Sequence, residues 1–185
     1  MPTISGVTEE EATDYLAKHV SRETIEQLTT YAGLLVEASA TQNLIAASTL
    51  PNIWARHILD SAQLAWLGAE HRAGAWIDIG SGAGLPGIVV SLINGRRTVL
   101  VEPRKKRVEF LTTVKAKLDL QNVEIVSARA EAAGLPAAAV ISARAVAALD
   151  SLFAMGQHFA TRETLWLLPK GRSAASEVAG IARSW

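Results

Sequence analysis

Over the first 70 positions, apolar residues recur at the three- and four-residue intervals of amphipathic helices. Thr8 followed by Glu11 gives the T-x-x-E pattern of a capping box, in which side chains satisfy the free donors at a helix start. A second helix is predicted after Ser21, with Ile25, Leu28, Ala32, Leu35 and Val36 at helical spacing. Thr41, Gln42 and Asn43 break that rhythm. A third helix is predicted from near Pro51, a residue favoured in the first helical turn, with Trp54, Ile58, Ala62 and Trp66 on one side.

After Gly74 the pattern changes to short apolar runs alternating with helical stretches. Trp76–Ile79, Thr98–Glu102, Val123–Val126, Ala139–Ser142 and Leu165–Leu168 read as strands. Helices are predicted over Leu85–Asn94, ended by Gly95, and from Pro103 to about Asp119, with Val108, Leu111, Val114 and Leu118 as the apolar face. Another lies around Leu149–Phe159. Such alternation implies a mostly parallel sheet covered by helices on both faces, a Rossmann-like α/β fold. The expected organisation is a single domain, with residues 1–72 a helical extension and 73–185 the core.

Composition narrows the class. Hydrophobic residues make up 49% and charged residues 19% of the 185, which excludes a disordered or fibrous chain. There is no apolar run of the length of a membrane span (about 18 residues), no cleavable signal pattern at the start, and no cysteine. Disulfides, cysteine–metal sites and cysteine nucleophiles are thereby excluded, and a cytoplasmic setting is expected. His19, His71 and His158 are scattered without ligand spacing, so no metal is expected.

Net charge is zero, but its distribution is polarised. Eight basic residues lie between Arg96 and Lys117, opposed only by Glu102 and Glu109. Two readings remain open there, a solvated helix face or a local phosphate-binding face.

The chemistry concentrates in W-I-D-I-G-S-G-A-G-L-P-G, Trp76 to Gly87. Gly80, Gly82 and Gly84 form G-x-G-x-G after Asp78, whereas Gly82, Gly84 and Gly87 match the G-x-G-x-x-G dinucleotide fingerprint. Glycines let the backbone turn tightly and a ligand approach closely. Glu102 ends the second strand, placed to accept hydrogen bonds from two ribose hydroxyls, a feature common to NAD and S-adenosylmethionine. Asp78, inside the first strand, can sit near the ammonium of a methionine moiety. That favours S-adenosylmethionine, with an NAD(P)-binding oxidoreductase as the alternative.

Several segments then carry a resemblance. The run I-D-I-G-S-G-A-G-L-P-G-I, the upstream N-L-I-A (Asn43–Ala46) and R-H-I-L-D-S (Arg56–Ser61), and the downstream S-A-R-A-E and I-S-A-R-A occur in that order. Together they resemble the bacterial 16S ribosomal RNA guanine-N7 methyltransferases, the glucose-inhibited division protein B family, over roughly residues 25–172. The resemblance implies a class I S-adenosylmethionine-dependent methyltransferase fold and methylation of N7 of one guanine, guanine 527, in 16S rRNA of the small ribosomal subunit. It implies that Gly80 and Leu85 line the methionine and ribose side of the pocket, that Ala130 and Glu131 flank the adenine, and that Arg144 completes the cofactor site. The family commonly reads I-S-R-A where this chain has Ile141-Ser142-Ala143-Arg144-Ala145, one alanine more. The fold commonly ends in an antiparallel hairpin after the fifth strand, expected to be missing before Trp185. A methyltransferase acting on a small molecule is the second alternative.

Methyl transfer to guanine N7 needs no general base, because that nitrogen bears a lone pair and no proton. No catalytic acid–base pair is therefore assigned, and positioning and electrostatics are expected to suffice. Arg56, His57 and Asp60 lie on one helix side, since i, i+1 and i+4 span about 100°. They form either an Arg56–Asp60 surface ion pair with His57 as filler, or a face bordering the active site that seats the guanine. Phosphate contacts are expected from Arg104, Lys105, Lys106 and Arg107, and from Lys170 and Arg172. A monomer is expected.

Overall fold

The computed structural model describes residues 6–71, 74–171 and 174–181. Helices α1 (Glu9–His19) and α2 (Arg22–Ser39) open the chain. Thr8 caps α1 with the reciprocal bonds of a capping box: Glu11 N–H donates to its hydroxyl at 3.2 Å, and its own N–H donates to the Glu11 carboxylate at 2.9 Å. Ser21 caps α2 by accepting from Thr24 N–H.

The third predicted helix is corrected in kind. Instead of one α-helix from Pro51, the chain winds through a 3-10 turn (Ala47–Asn52), a π-helical turn (Trp54–Leu59) and α3 (Asp60–Leu67). Pro51 sits inside the 3-10 turn rather than at a helix start. Neither the 3-10 nor the π turn has a side-chain cap of its own. The carboxylate of Glu9 on α1 fills that role for the π turn, accepting from Trp54 N–H at 3.0 Å and Ala55 N–H at 2.8 Å. A negative group is favoured there, because the first N–H groups of a helix lack intrahelical acceptors and carry partial positive charge.

The rest alternates as the sequence implies through the fifth strand: β1 (Ala75–Ile79), α4 (Gly87–Asn94), β2 (Thr98–Val101), α5 (Lys105–Lys117), β3 (Val123–Val126), β4 (Ala138–Ser142), α6 (Leu149–Gly156) and β5 (Leu165–Leu167), followed by a helix not predicted from the sequence, α7 (Ala174–Ile181). Among the described residues the sheet has five strands in the order β3-β2-β1-β4-β5, every pair parallel. Alternation along the strands gives two buried faces. Ile77, Ile79, Val99, Val101 and Ile141 pack with Leu149 and Leu152 of α6. On the other face Leu100 joins Leu28, Tyr31 and Leu35 of α2 and Leu111 and Val114 of α5. The N-terminal helices therefore share a core with the sheet. No described helix is long and apolar enough to cross a membrane.

Candidate functional site

The carboxyl ends of β1, β2 and β4 open into a cleft of about 950 Å³. It lies where the strand order reverses, with β2 on one side of β1 and β4 on the other, the place where open α/β sheets bind ligands.

The glycine loop forms its floor. Gly80 N–H and Ser81 N–H both donate to Val101 O, at 2.8 and 3.1 Å, which ties the loop to the end of β2. Gly80, Gly82 and Gly84 are all left-handed, at φ 64°, 57° and 89°, a region that L side chains rarely adopt. Their surroundings differ. A Cβ on Gly82 would have nothing closer than Arg107 Nη1 at 3.4 Å, so this glycine faces open space in the cleft. A Cβ on Gly84 would meet Ile88 at 2.5 Å and Leu111 at 3.0 Å, and one on Gly87 would collide with Leu100 of β2. Those two glycines serve packing between helix and sheet. Gly80 lines the cleft under Val146, whose Cγ2 would stand 2.8 Å from an added Cβ.

Glu102 is almost fully buried yet lines the cleft. Its Oε2 accepts from Gly82 N–H and its Oε1 from Arg104 N–H, each at 2.9 Å, and Arg107 Nη1 stands 3.9 Å from Oε2. A carboxylate has about four acceptor positions, so both oxygens keep capacity for a ligand's hydroxyls.

Asp78 does not line the cleft. Its side chain is sealed on the α4 side of the sheet, where Oδ1 accepts from Ser142 Oγ at 2.7 Å and Oδ2 from Gly87 N–H at 3.3 Å. Trp76 Nε1 donates to the same Ser142 hydroxyl at 2.8 Å. Burial raises the Asp78 carboxyl to about 6, against the lowering effect of its hydrogen bonds and of Arg144. Gly84 likewise stands outside the lining, whereas Gly80, Gly82, Leu85, Glu102, Ala130, Glu131 and Arg144 face it.

Of the two readings left open for Arg56, His57 and Asp60, the Arg56–Asp60 ion pair is absent among the described residues. Positions i and i+4 stack on an α-helix, but residues 54–59 wind as a π turn with a wider repeat. All three of Arg56, His57 and Asp60 instead border the cleft. His57 is buried; its Nε2 lies 2.7 Å from Thr49 Oγ1 and its Nδ1 accepts from Arg144 Nη2 at 3.1 Å. Burial, with Arg144 and Arg56 nearby, pushes its pKa down to about 4, so the ring is neutral at physiological pH. Burial raises Asp60, and it lowers Arg144, which has no carboxylate in ion-pair range among the described residues.

The basic candidates separate. Arg104 and Arg107 line the cleft, while Lys105 and Lys106 are exposed beside it on α5. Lys170 is committed elsewhere: its Nζ donates to Ala147 O at 2.6 Å and pairs with Glu177 at 2.9 Å. It braces the loop after β4 rather than standing free for a phosphate. Arg172 lies outside the described residues. No group of three or more metal-type ligands is gathered among the described residues.

Thr49, Arg129, Ala145 and Val146 also border the cleft and were not singled out in the sequence. Ala145 is left-handed at φ 56°. The R-H-I-L-D-S and I-S-A-R-A segments flag the neighbourhoods of Thr49 and Val146, but hydrogen-bond partners across 87 residues leave no local pattern.

Residues 24–185 match the model of the family described as GidB, rRNA small subunit methyltransferase G. The chain is 48% identical over 165 residues to the ribosomal RNA small subunit methyltransferase G of Sphingopyxis alaskensis, covering 89% of this chain and 71% of that one. It is 43% identical to the protein of the same name from Novosphingobium aromaticivorans, over 97% of this chain and 80% of that one. Among solved structures, a methyltransferase from Geobacter sulfurreducens superposes with a TM-score of 0.55 at 12% identity, covering 75% of this chain and 69% of that one. That likeness concerns the fold, which is the class I methyltransferase architecture.

Proposed function

The chain belongs to the rRNA small subunit methyltransferase G family, and from that premise we propose that it transfers the methyl group of S-adenosylmethionine to N7 of a guanine in 16S rRNA of the small ribosomal subunit. The single observation that carries the reading is the cleft built by Gly82 and Glu102. One is a left-handed glycine open to the cavity, and its amide is held by a buried carboxylate with acceptor capacity to spare.

The residues fit the cofactor. Glu102 would take the ribose hydroxyls, Gly80, Gly82 and Leu85 the backbone-lined side, Ala130 and Glu131 the adenine edge, and Arg144 a ligand carboxylate or carbonyl. Asp78 would act from behind the loop, its negative charge reaching the methionine ammonium through space rather than by contact. S-adenosylmethionine supplies an electrophilic methyl on a sulfonium whose leaving group is already activated. On the acceptor side the new bond is N7–CH3, made with the guanine lone pair. No proton has to move, so the chain needs no general base. Its residues have to orient the guanine and keep water out of the line of transfer. The dinucleotide reading of G-A-G-L-P-G is set aside by family membership.

Five arginines border the cleft, Arg56, Arg104, Arg107, Arg129 and Arg144, against Asp60, Glu102 and Glu131. That excess, continued by Lys105 and Lys106, supports a polyanionic substrate over a small neutral one. The test is methyl transfer from labelled S-adenosylmethionine to small subunits that lack the modification, with the labelled nucleoside identified by mass spectrometry. 7-Methylguanosine is expected. Another methylated nucleoside would overturn the N7 assignment, and turnover of small molecules without RNA would favour the alternative substrate class.

A further inference from the structure

We propose that His57 and Thr49 are positioning residues for Arg144, holding its guanidinium toward the cleft through a hydrogen-bonded chain of fixed direction that ends on the carbonyl of Ala46. The inference rests on reading the cleft as the cofactor site and assigns two residues of the N-terminal segment to it.

The direction follows from the two ends of the chain. A guanidinium only donates, so Arg144 Nη2–H, 3.1 Å away, makes His57 Nδ1 an acceptor. The ring proton then sits on Nε2 and donates to Thr49 Oγ1 at 2.7 Å. The single proton of that hydroxyl donates to Ala46 O at 2.7 Å, and a carbonyl only accepts. Three segments therefore lock together: the 3-10 turn, the π turn and the loop after β4. The other tautomer would point a donor at a donor, as would an imidazolium. Burial between Arg144 and Arg56 keeps the ring neutral.

Neutrality is what makes a histidine suitable here. A carboxylate at position 57 would aim the guanidinium equally well but would neutralise the charge a ligand has to meet. A neutral imidazole fixes Arg144 through one N–H and leaves its remaining N–H groups for the cleft, adding no negative charge to that of Asp60 and Asp78, whose carboxylates already act on it. No ion pair competes for Arg144 among the described residues.

The experiment uses the full chain and S-adenosylhomocysteine as the calorimetric probe near neutral pH. His57→Phe, which keeps the bulk and loses the acceptor, is expected to weaken binding about tenfold, the loss of a hydrogen bond to a charged group. His57→Gln offers a side-chain carbonyl and is expected to recover most of that loss, and Thr49→Val to lie between them. In an Arg144→Ala background His57→Phe should add no further loss, because its effect runs through Arg144. Nitrogen chemical shifts of the His57 ring should show Nε2 protonated and Nδ1 bare. Equal losses in the Phe and Gln variants, an undiminished effect in the Arg144→Ala background, or a proton on Nδ1 would overturn the proposal. A wild-type chain that binds no S-adenosylhomocysteine would count against the cofactor reading, and the ring nitrogens alone would then decide the chain of bonds.

Discussion

The phenol of Tyr31 lies beneath the glycine loop: its hydroxyl donates a 2.7 Å hydrogen bond to Ala83 O and stands 3.2 Å from where a Cβ on Gly84 would be. Tyr31 belongs to α2 and is fully buried, and burial raises its pKa well above the usual value, so it stays a donor. Helix α2 thus holds the loop from outside the strand–helix alternation. Tyr31→Phe leaves a buried carbonyl without its partner and is expected to cost about 1–2 kcal/mol of stability, read by denaturant unfolding. Titration with S-adenosylhomocysteine should show weaker binding in the same variant; unchanged affinity would mean the loop is held without Tyr31.

The glycines of the loop should respond differently to substitution. Gly82→Val places a branched side chain in open cleft space, at a cost in stability of about 1–2 kcal/mol for the left-handed backbone, and is expected to abolish cofactor binding. Gly84→Ala drives a methyl into Ile88 and Leu111 as well, and should lower the melting temperature more than Gly82→Ala, which has room. Retained binding in Gly82→Val would move the cofactor elsewhere.

Two buried groups make opposite demands on pH. The Asp78 carboxyl titrates at about 6 in the folded chain against an ordinary value of 3.8. The fold therefore binds its proton more tightly than the unfolded chain, and this contribution, full below pH 4, is lost as pH rises through 6. His57 titrates at about 4 against 6.5, so its contribution is present above 6.5 and is lost as pH falls through 4. Each is worth about 3 kcal/mol at about 1.4 kcal/mol per unit. Between pH 4 and 6 the two slopes nearly cancel. Asp78→Asn should leave a protein that loses stability on acidification across that window, and His57→Gln one that gains it. Chemical denaturation at several pH values checks both signs, and parallel profiles in the two variants would contradict the assignments.

Charge reversal should separate substrate contact from bracing. Lys105→Glu with Lys106→Glu is expected to weaken binding to small subunits and to flatten its salt dependence by about one unit of slope per lost phosphate contact. Cofactor affinity should be unchanged. Lys170→Ala should do the reverse, lowering cofactor affinity through the loop that it braces at Ala147 with little effect on the salt slope. Filter binding over a salt series distinguishes them.

What could be read from the residues follows the range of the interactions involved. The capping box at Thr8 and Glu11 and the strand Val123–Val126 are local patterns, and both stand where the sequence puts them. Glycine spacing marked the loop but did not tell Gly82, which faces the cleft, from Gly84 and Gly87, which face the core; that depends on Leu111 and Leu100 from later elements. Asp78 was expected near a ligand and is screened by Ser142, brought in by a strand 64 residues on. The π turn carries no sequence signature, because one of its determinants is a carboxylate 45 residues upstream.

The Glu9 clamp on Trp54 and Ala55 reaches further than its two hydrogen bonds. The family match begins at residue 24, so the group that anchors the turn bearing His57 lies upstream of the matched region. A version trimmed to that region would retain every residue facing the cleft yet leave the Trp54 and Ala55 amides without their acceptor. The turn would be free to rewind toward ordinary α-helical pitch, which would rotate His57 away from Arg144. Boundaries drawn at residue 24 would then misalign the pocket and also strip Ala12 and Leu16 from the core that the sheet shares.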